Sequence, residues 1–211
     1  MITLMHLPIR HGNAPLRIAH GHFATNHSHI NYYLDVTTLK ARMSEARQAA
    51  EALAGMYMYD TVVDTIVCLD GSEVLGAFLA RHLAKNTLFA VNSDKNINVI
   101  TPEYDSNGQL LFRDNLVPMV TDRNVLILIS TVNSGKSIRR VVECAQYYGG
   151  KVQGIAAVFS TLEEMEGVPI YSLFTPEDIP GYATYSPENC AMCRAGERIN
   201  ALANSYGLSA L

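Results

Sequence analysis

Between Asn124 and Ile129 the chain is almost wholly apolar, with Val125, Leu126, Ile127, Leu128 and Ile129 in succession. The hydrophobicity then gives way to mainly small or polar residues from Ser130 to Ser137, with Gly135 near their end. A continuous run of β-branched and leucine residues is the pattern of a strand buried on both faces. From Ile138 an apolar face recurs at Val141, Val142, Ala145 and Tyr148 and stops at Gly149-Gly150, which predicts a helix closed by glycine. Strand, hydroxyl-rich turn and helix N-terminus together make backbone N–H groups and the helix dipole converge on an anion.

The rest of the pattern arranges itself around this unit. Leu39, Met43, Ala46, Ala50 and Leu53 follow Thr38 at helical spacing until Gly55, with Thr38 as the expected N-cap. Thr61 to Leu69 is a β-branched run broken by Asp70-Gly71-Ser72, and Val74, Leu75, Phe78, Leu79 and Leu83 mark the helix after the break. Leu88 to Val91 reads as a short strand. Around Asn107-Gly108 the alternation of Ile97 and Val99 and the return through Leu110 to Phe112 predict a hairpin. Lys151 to Phe159 and Val168 to Leu173 predict two further strands, and Ala195 to Tyr206 a final helix. The expected fold is therefore α/β, an open, mainly parallel sheet flanked by helices, with an inserted β-hairpin flap.

With 211 residues and 48% hydrophobic content the chain can bury one large core. A single domain over 1–211 is expected, with the hairpin flap at about 96–122 and a proline- and glycine-punctuated tail at about 175–211. A net charge of −4 gives no reason for bulk affinity to nucleic acid or an anionic membrane. No run approaches a membrane span, and Met1 to Pro8, followed by Arg10 and His11, lacks the order of a signal peptide, so a cytoplasmic location is expected. Four cysteines are few for a disulfide scaffold.

Two His-x-His pairs, His20/His22 and His27/His29, each have a spacing a metal uses in an extended segment. No carboxylate or cysteine completes either pair locally, which favours histidines without a metal. Cys190 and Cys193 also have metal-ligand spacing, but zinc takes four ligands and there is no second Cys-x-x-Cys. That leaves either a simple cysteine pair or a zinc site completed by histidines or by a second subunit.

Two phosphate-loop readings compete for the central turn. A Walker A loop needs Gly-x-x-x-x-Gly-Lys-Ser/Thr; Gly135-Lys136-Ser137 fits, but Ser130 stands where the first glycine belongs. The second reading starts from a hydrophobic strand at Val125 to Leu128 followed by Thr131-Val132-Asn133-Ser134-Gly135-Lys136-Ser137. This resembles the signature of the type I phosphoribosyltransferases, in which two acidic residues lie between strand and loop. Here the acidic positions fall on Ile129 and Ser130. Gly21-His22-Phe23, Tyr32 to Asp35, the Asp64 to Glu73 stretch and the Ser186 to Gly196 tail are similar to segments of the orotate-type members.

The resemblance implies a 5-phosphate of phosphoribosyl pyrophosphate (PRPP), ribose 5-phosphate or a nucleotide held by Ser130 to Ser137. It also implies a pyrophosphate loop at Asp70, Gly71, Ser72 and Glu73, Mg²⁺ if the protein is catalytic, and a homodimer. The family's basic cluster before the flap has Lys95 as its near counterpart, with Arg113 on the hairpin as a second candidate for a catalytic cation. The reaction implied is transfer of phosphoribose to a pyrimidine base such as orotate. Loss of both acids removes negative charge where positive charge develops on the ribose, and removes acceptors for its hydroxyls. A non-catalytic nucleotide- or PRPP-binding regulatory protein is the alternative, and a P-loop nucleotide-binding protein a weaker one. Each site group also has a plainer reading: Lys136 as a solvated lysine, Asp70 and Glu73 as turn and first-turn acids.

Overall fold

The computed structural model describes residues 3–7 and 16–211. Met1, Pro8, Arg10 and His11, on which the reading of the amino terminus rests, lie outside them. In chain order, β1 (Met5–Leu7), β2 (Leu16–Ala24) and β3 (His29–Asp35) lead into α1 (Thr37–Ala41) and α2 (Met43–Gly55). Then come β4 (Thr65–Cys68), α3 (Glu73–Leu83), β5 (Asn98–Ile100), and the short strands β6 (Glu103–Tyr104) and β7 (Leu110–Leu111). They are followed by β8 (Asn124–Val132), α4 (Lys136–Tyr147), β9 (Lys151–Ser160), β10 (Glu164–Met165) and β11 (Val168–Phe174). The tail carries β12 (Thr184–Tyr185), α5 (Ala191–Arg194), β13 (Ala201–Asn204) and β14 (Gly207–Ala210).

The central sheet has the order β10-β11-β9-β8-β4-β5, parallel throughout except for β10. Its middle strand β8 alternates between two cores, as the period of two requires. Leu126 and Leu128 join Leu53, Leu75 and Leu79 on the α2/α3 side, whereas Val125, Ile127 and Ile129 join Ile138, Val141 and Val142 on the α4 side. Every residue from Val125 to Ser130 is buried, which is why the run carries no polar alternation. Each fully buried aliphatic side chain there contributes about 1.5–3 kcal/mol. The helix expected after Gly135 is α4, and Gly149, at φ 81, follows its end in the left-handed conformation glycine favours.

The amino-terminal segment, which shows little periodicity in sequence, forms a second sheet of order β12-β3-β2-β13-β14, with β1 also on β2. Its core is Ala19, Phe23, Ile30, Tyr33, Ala201 and Ala203. Three expectations are corrected. The segment from Leu88 to Val91 is not a strand: Phe89 has φ 69, Leu88 and Phe89 are 80% and 82% exposed, and β5 takes the place beside β4. Ala195 to Tyr206 is not a helix, because Ala201 to Asn204 alternates buried and exposed and pairs with β14 and β2. The first helix is capped by Val36 rather than Thr38, and Arg42, at ψ 121, separates it from α2.

A hairpin is present as β6-β7, closed by Asn107-Gly108 with Gly108 at φ 76, but it is shorter than expected: Val99, whose alternation with Ile97 was read into it, lies in β5 of the central sheet, parallel to β4. Phe112 at its base is buried against Tyr148, and the Cys144 thiol donates to the Leu110 carbonyl at 3.4 Å. Of the apolar cluster Leu110 to Phe112, Phe112 is thus buried within the chain, while Leu110 and Leu111 are half-buried. Among the described residues, no helix is long and apolar enough to cross a membrane.

Candidate functional site

Strands β4 and β8 are parallel neighbours, so the turns after their carboxyl ends lie side by side, where open α/β sheets bind ligands. The two turns border one cavity of about 170 Å³. Thr131, Val132, Asn133, Ser134, Gly135, Lys136 and Ser137 line it with Asp70, the β2–β3 turn Thr25 to Ser28, and Ala203, Asn204 and Ser205 from the tail.

The loop is a tight turn that ends at the N-terminus of α4. Gly135 sits at φ 74, and a Cβ there would lie 2.3 Å from Met165 Cε. Arg139 N–H makes the first bond of α4, to Gly135 O at 2.9 Å, so the N–H groups of Lys136, Ser137 and Ile138 precede the helical ladder. Thr161 fixes the turn from behind by donating its hydroxyl to Asn133 O at 2.6 Å, and the Tyr182 hydroxyl donates to Asn133 Oδ1 at 2.8 Å. Lys136 is the one lysine or arginine on the cavity wall among the described residues.

Across the cavity Asp70 and Gly71 adopt consecutive left-handed conformations, φ 58 and 70, which aspartate tolerates and glycine favours. Burial pushes the Asp70 carboxyl above the usual range, against the Ser205 hydroxyl, the Lys40 ammonium and the Ser130 N–H, which favour its charge. Lys40 is a functional candidate the sequence did not reveal. Almost fully buried, its ammonium donates to Asp70 O and to Ser205 O, both at 2.6 Å, and lies 5.5 Å from the Tyr206 ring. Its one signal is a lysine next to Leu39 in a short helix whose neighbours are apolar.

Other predicted residues lie elsewhere. Ser72 is buried, with its hydroxyl 3.4 Å from Leu128 O; the Glu73 carboxylate accepts from Thr101 at 2.9 Å; Gly71 is not on the cavity wall. Ser130 is fully buried with no partner for its Oγ among the described residues, whereas Ile129 lines the cavity. Lys95 bonds Asp64 at 2.9 Å, at the amino-terminal end of β4 and so away from the cavity. Arg113 pairs with Glu103 at 2.9 Å across the exposed hairpin.

Solved structures share this architecture. Orotate phosphoribosyltransferase of Mycobacterium tuberculosis, in complex with Fe(III) dicitrate, matches with a TM-score of 0.54 at 16% identity, over 78% of this chain and 93% of that one. The same enzyme in complex with inorganic phosphate matches at 0.53 and 17% identity, over 71% and 80% of the two chains. The chain has the type I phosphoribosyltransferase fold.

Curated relatives agree with the fold. Orotate phosphoribosyltransferase of Thermus thermophilus is 28% identical over 179 residues, covering 83% of this chain and 88% of the relative. The enzyme of Carboxydothermus hydrogenoformans is 28% identical over 181 residues, covering 83% and 85%. No family model matches the chain. Within the phosphoribosyltransferase fold, a second constellation stands off the cavity wall: His22, His29, Cys190 and Cys193 present ligand atoms all within 4.8 Å of one another.

Proposed function

We propose that the chain binds a phosphorylated ribose, as PRPP, ribose 5-phosphate or a nucleotide, with its 5-phosphate on Thr131 to Ser137. The observation that carries this reading is the set of unladdered N–H groups at Lys136, Ser137 and Ile138, at a cavity whose single lysine among the described residues is Lys136. Lys136 in a first helical turn opposes the helix dipole unless an anion offsets it. The Asp70 turn supports a place for pyrophosphate opposite the phosphate loop. The inorganic phosphate of the M. tuberculosis complex is the kind of ligand this loop suits.

The reaction such a site would run is transfer of phosphoribose to a pyrimidine nitrogen, with orotate as the base suggested by the relatives. Mg²⁺ held by substrate phosphates asks for one or two protein carboxylates. Asp70 is the one carboxylate on the cavity wall among the described residues, and it would hold the ion. When bound, Mg²⁺ would shield the charge of departing pyrophosphate. A second reading, binding without turnover, is favoured by Ile129, which puts an apolar side chain on the cavity wall at an acid position. A homodimer belongs to either reading; light scattering at micromolar concentration checks it, and a monomer removes it.

Titration calorimetry with PRPP, ribose 5-phosphate and nucleoside monophosphates tests the ligand. Absence of binding by all three at millimolar concentration sinks the proposal. Pyrophosphate release with orotate separates the two readings. Gly135→Val, strained at positive φ and colliding with Met165, is expected to weaken phosphate more than tenfold, about 1.4 kcal/mol.

A further inference from the structure

The tail meets the β2–β3 hairpin at four side chains that the phosphate cavity does not use. His22 and Cys190 are 2% and 1% exposed, His29 is 9% exposed, and Cys193 opens to solvent. His22 Nε2 lies 3.0 Å from His29 Nδ1, 3.6 Å from Cys190 Sγ and 3.7 Å from Cys193 Sγ, and His29 Nδ1 lies 3.3 Å from Cys193 Sγ. Zinc bonds of about 2.3 Å to sulfur and about 2.0–2.1 Å to nitrogen give tetrahedral edges of about 3.3 Å between nitrogens and about 3.6 Å from nitrogen to sulfur. These four separations lie close to such edges, and all the ligand atoms stand within 4.8 Å of one another.

The surrounding hydrogen bonds prepare the same donor set. Glu197 O can only accept, so the 3.0 Å contact from His22 Nδ1 places the proton there and leaves Nε2 a bare lone pair aimed into the cluster. Cys193 N–H donates to Cys190 Sγ at 3.4 Å, which fixes that sulfur beside Cys193. Without an ion, a buried imidazole lone pair and a buried sulfur would converge with only a single His–His hydrogen bond and weak thiol donors between them.

The histidines come together through an irregularity of the sheet. His20 pairs with Tyr32, but Phe23 pairs with Ile30, a shift of one residue. Had the first register continued, Phe23 would oppose His29 and His22 would point to the other face. The bulge therefore brings one member of each His-x-His pair onto a common face.

We propose that His22, His29, Cys190 and Cys193 bind one zinc ion that clamps the carboxyl-terminal tail onto the β2–β3 hairpin. Four protein ligands leave no open position, so the site is structural. Binding releases the thiol protons to solvent. The site is independent of what the phosphate cavity binds.

The test uses the untagged full-length protein. Elemental analysis is expected to find about one zinc per chain. Cobalt(II) exchange should give the intense visible bands of a four-coordinate ion and a near-ultraviolet thiolate charge-transfer band. Cys193→Ser and His29→Gln should lose the metal. Should those variants fail to fold, thiol labelling of the unsubstituted protein decides. A strong chelator should expose Cys190 and Cys193 to alkylation and added zinc should protect them again. Cys68 and Cys144, pushed up to about 12 and about 11 by burial, should stay slow throughout. Reduced protein that takes up neither zinc nor cobalt, or whose Cys190 and Cys193 label equally fast with and without zinc, overturns the proposal.

Discussion

Asp64 shows how one carboxylate ties three segments together. It accepts from Asn124 N at 2.9 Å, Asn124 Nδ2 at 2.6 Å and Lys95 Nζ at 2.9 Å. Burial alone would raise its pKa, but the Asn124 N–H, the Lys95 ammonium and the Asn124 amide outweigh burial and hold it below the ordinary 3.8. A depressed folded pKa means stability present above 3.8 and lost as pH falls through the folded value. Asp64→Ala is expected to cost about 2–3 kcal/mol in urea denaturation at neutral pH. Its deficit relative to the unsubstituted protein should shrink as pH drops below 3.8. Ser130 is the opposite case, a buried hydroxyl without a partner among the described residues, so Ser130→Ala should leave stability unchanged or raise it by up to about 1 kcal/mol in the same assay. Ile129 and Ser130 stand in the sequence where the resemblance expects two acids, but which of them borders the cavity was not legible there. Strand parity decides that, and it puts Ile129 on the cavity wall. Lys40 was invisible because its role depends on carbonyls 30 and 165 residues away.

At the scale of elements, legibility followed burial on both faces. The runs that became β8, β9 and β11, and the helical spacings that became α2, α3 and α4, declare themselves because tertiary packing and local pattern demand the same residues. Ile127→Ala, in the fully buried part of β8, should cost about 2–5 kcal/mol by equilibrium unfolding. The tail misled because Ala201-Leu202-Ala203 satisfies a helical count as easily as a two-residue period, and small alanines face the core only because β2 lies beside them. The β2–β3 pairing was hidden for a different reason: its register shift is a property of two strands together, written in neither.

Across the whole molecule, the central sheet draws its strands from residues 65–174, whereas the second sheet joins residues near both described extremes of the chain. The tail hairpin also supplies Ala203 to Ser205 to the cavity and accepts the Lys40 ammonium at Ser205 O. Truncation after Gly196 should therefore reduce ribose 5-phosphate affinity more than tenfold, about 1.4 kcal/mol, while circular dichroism still reports the helices of the central layer. The same arrangement dictates an order of events during synthesis. Strand β2 has β3 on one side; on the other, β1 pairs with Leu16 to Ile18 and β13 with Phe23 and Ala24. The Phe23–Ala24 end of that second edge therefore stays open until residues 201–204 leave the ribosome, long after the central sheet has all its strands. A nascent chain stalled between these points would carry a finished nucleus and an unsealed β-edge, the part most exposed to wrong partners and to chaperones.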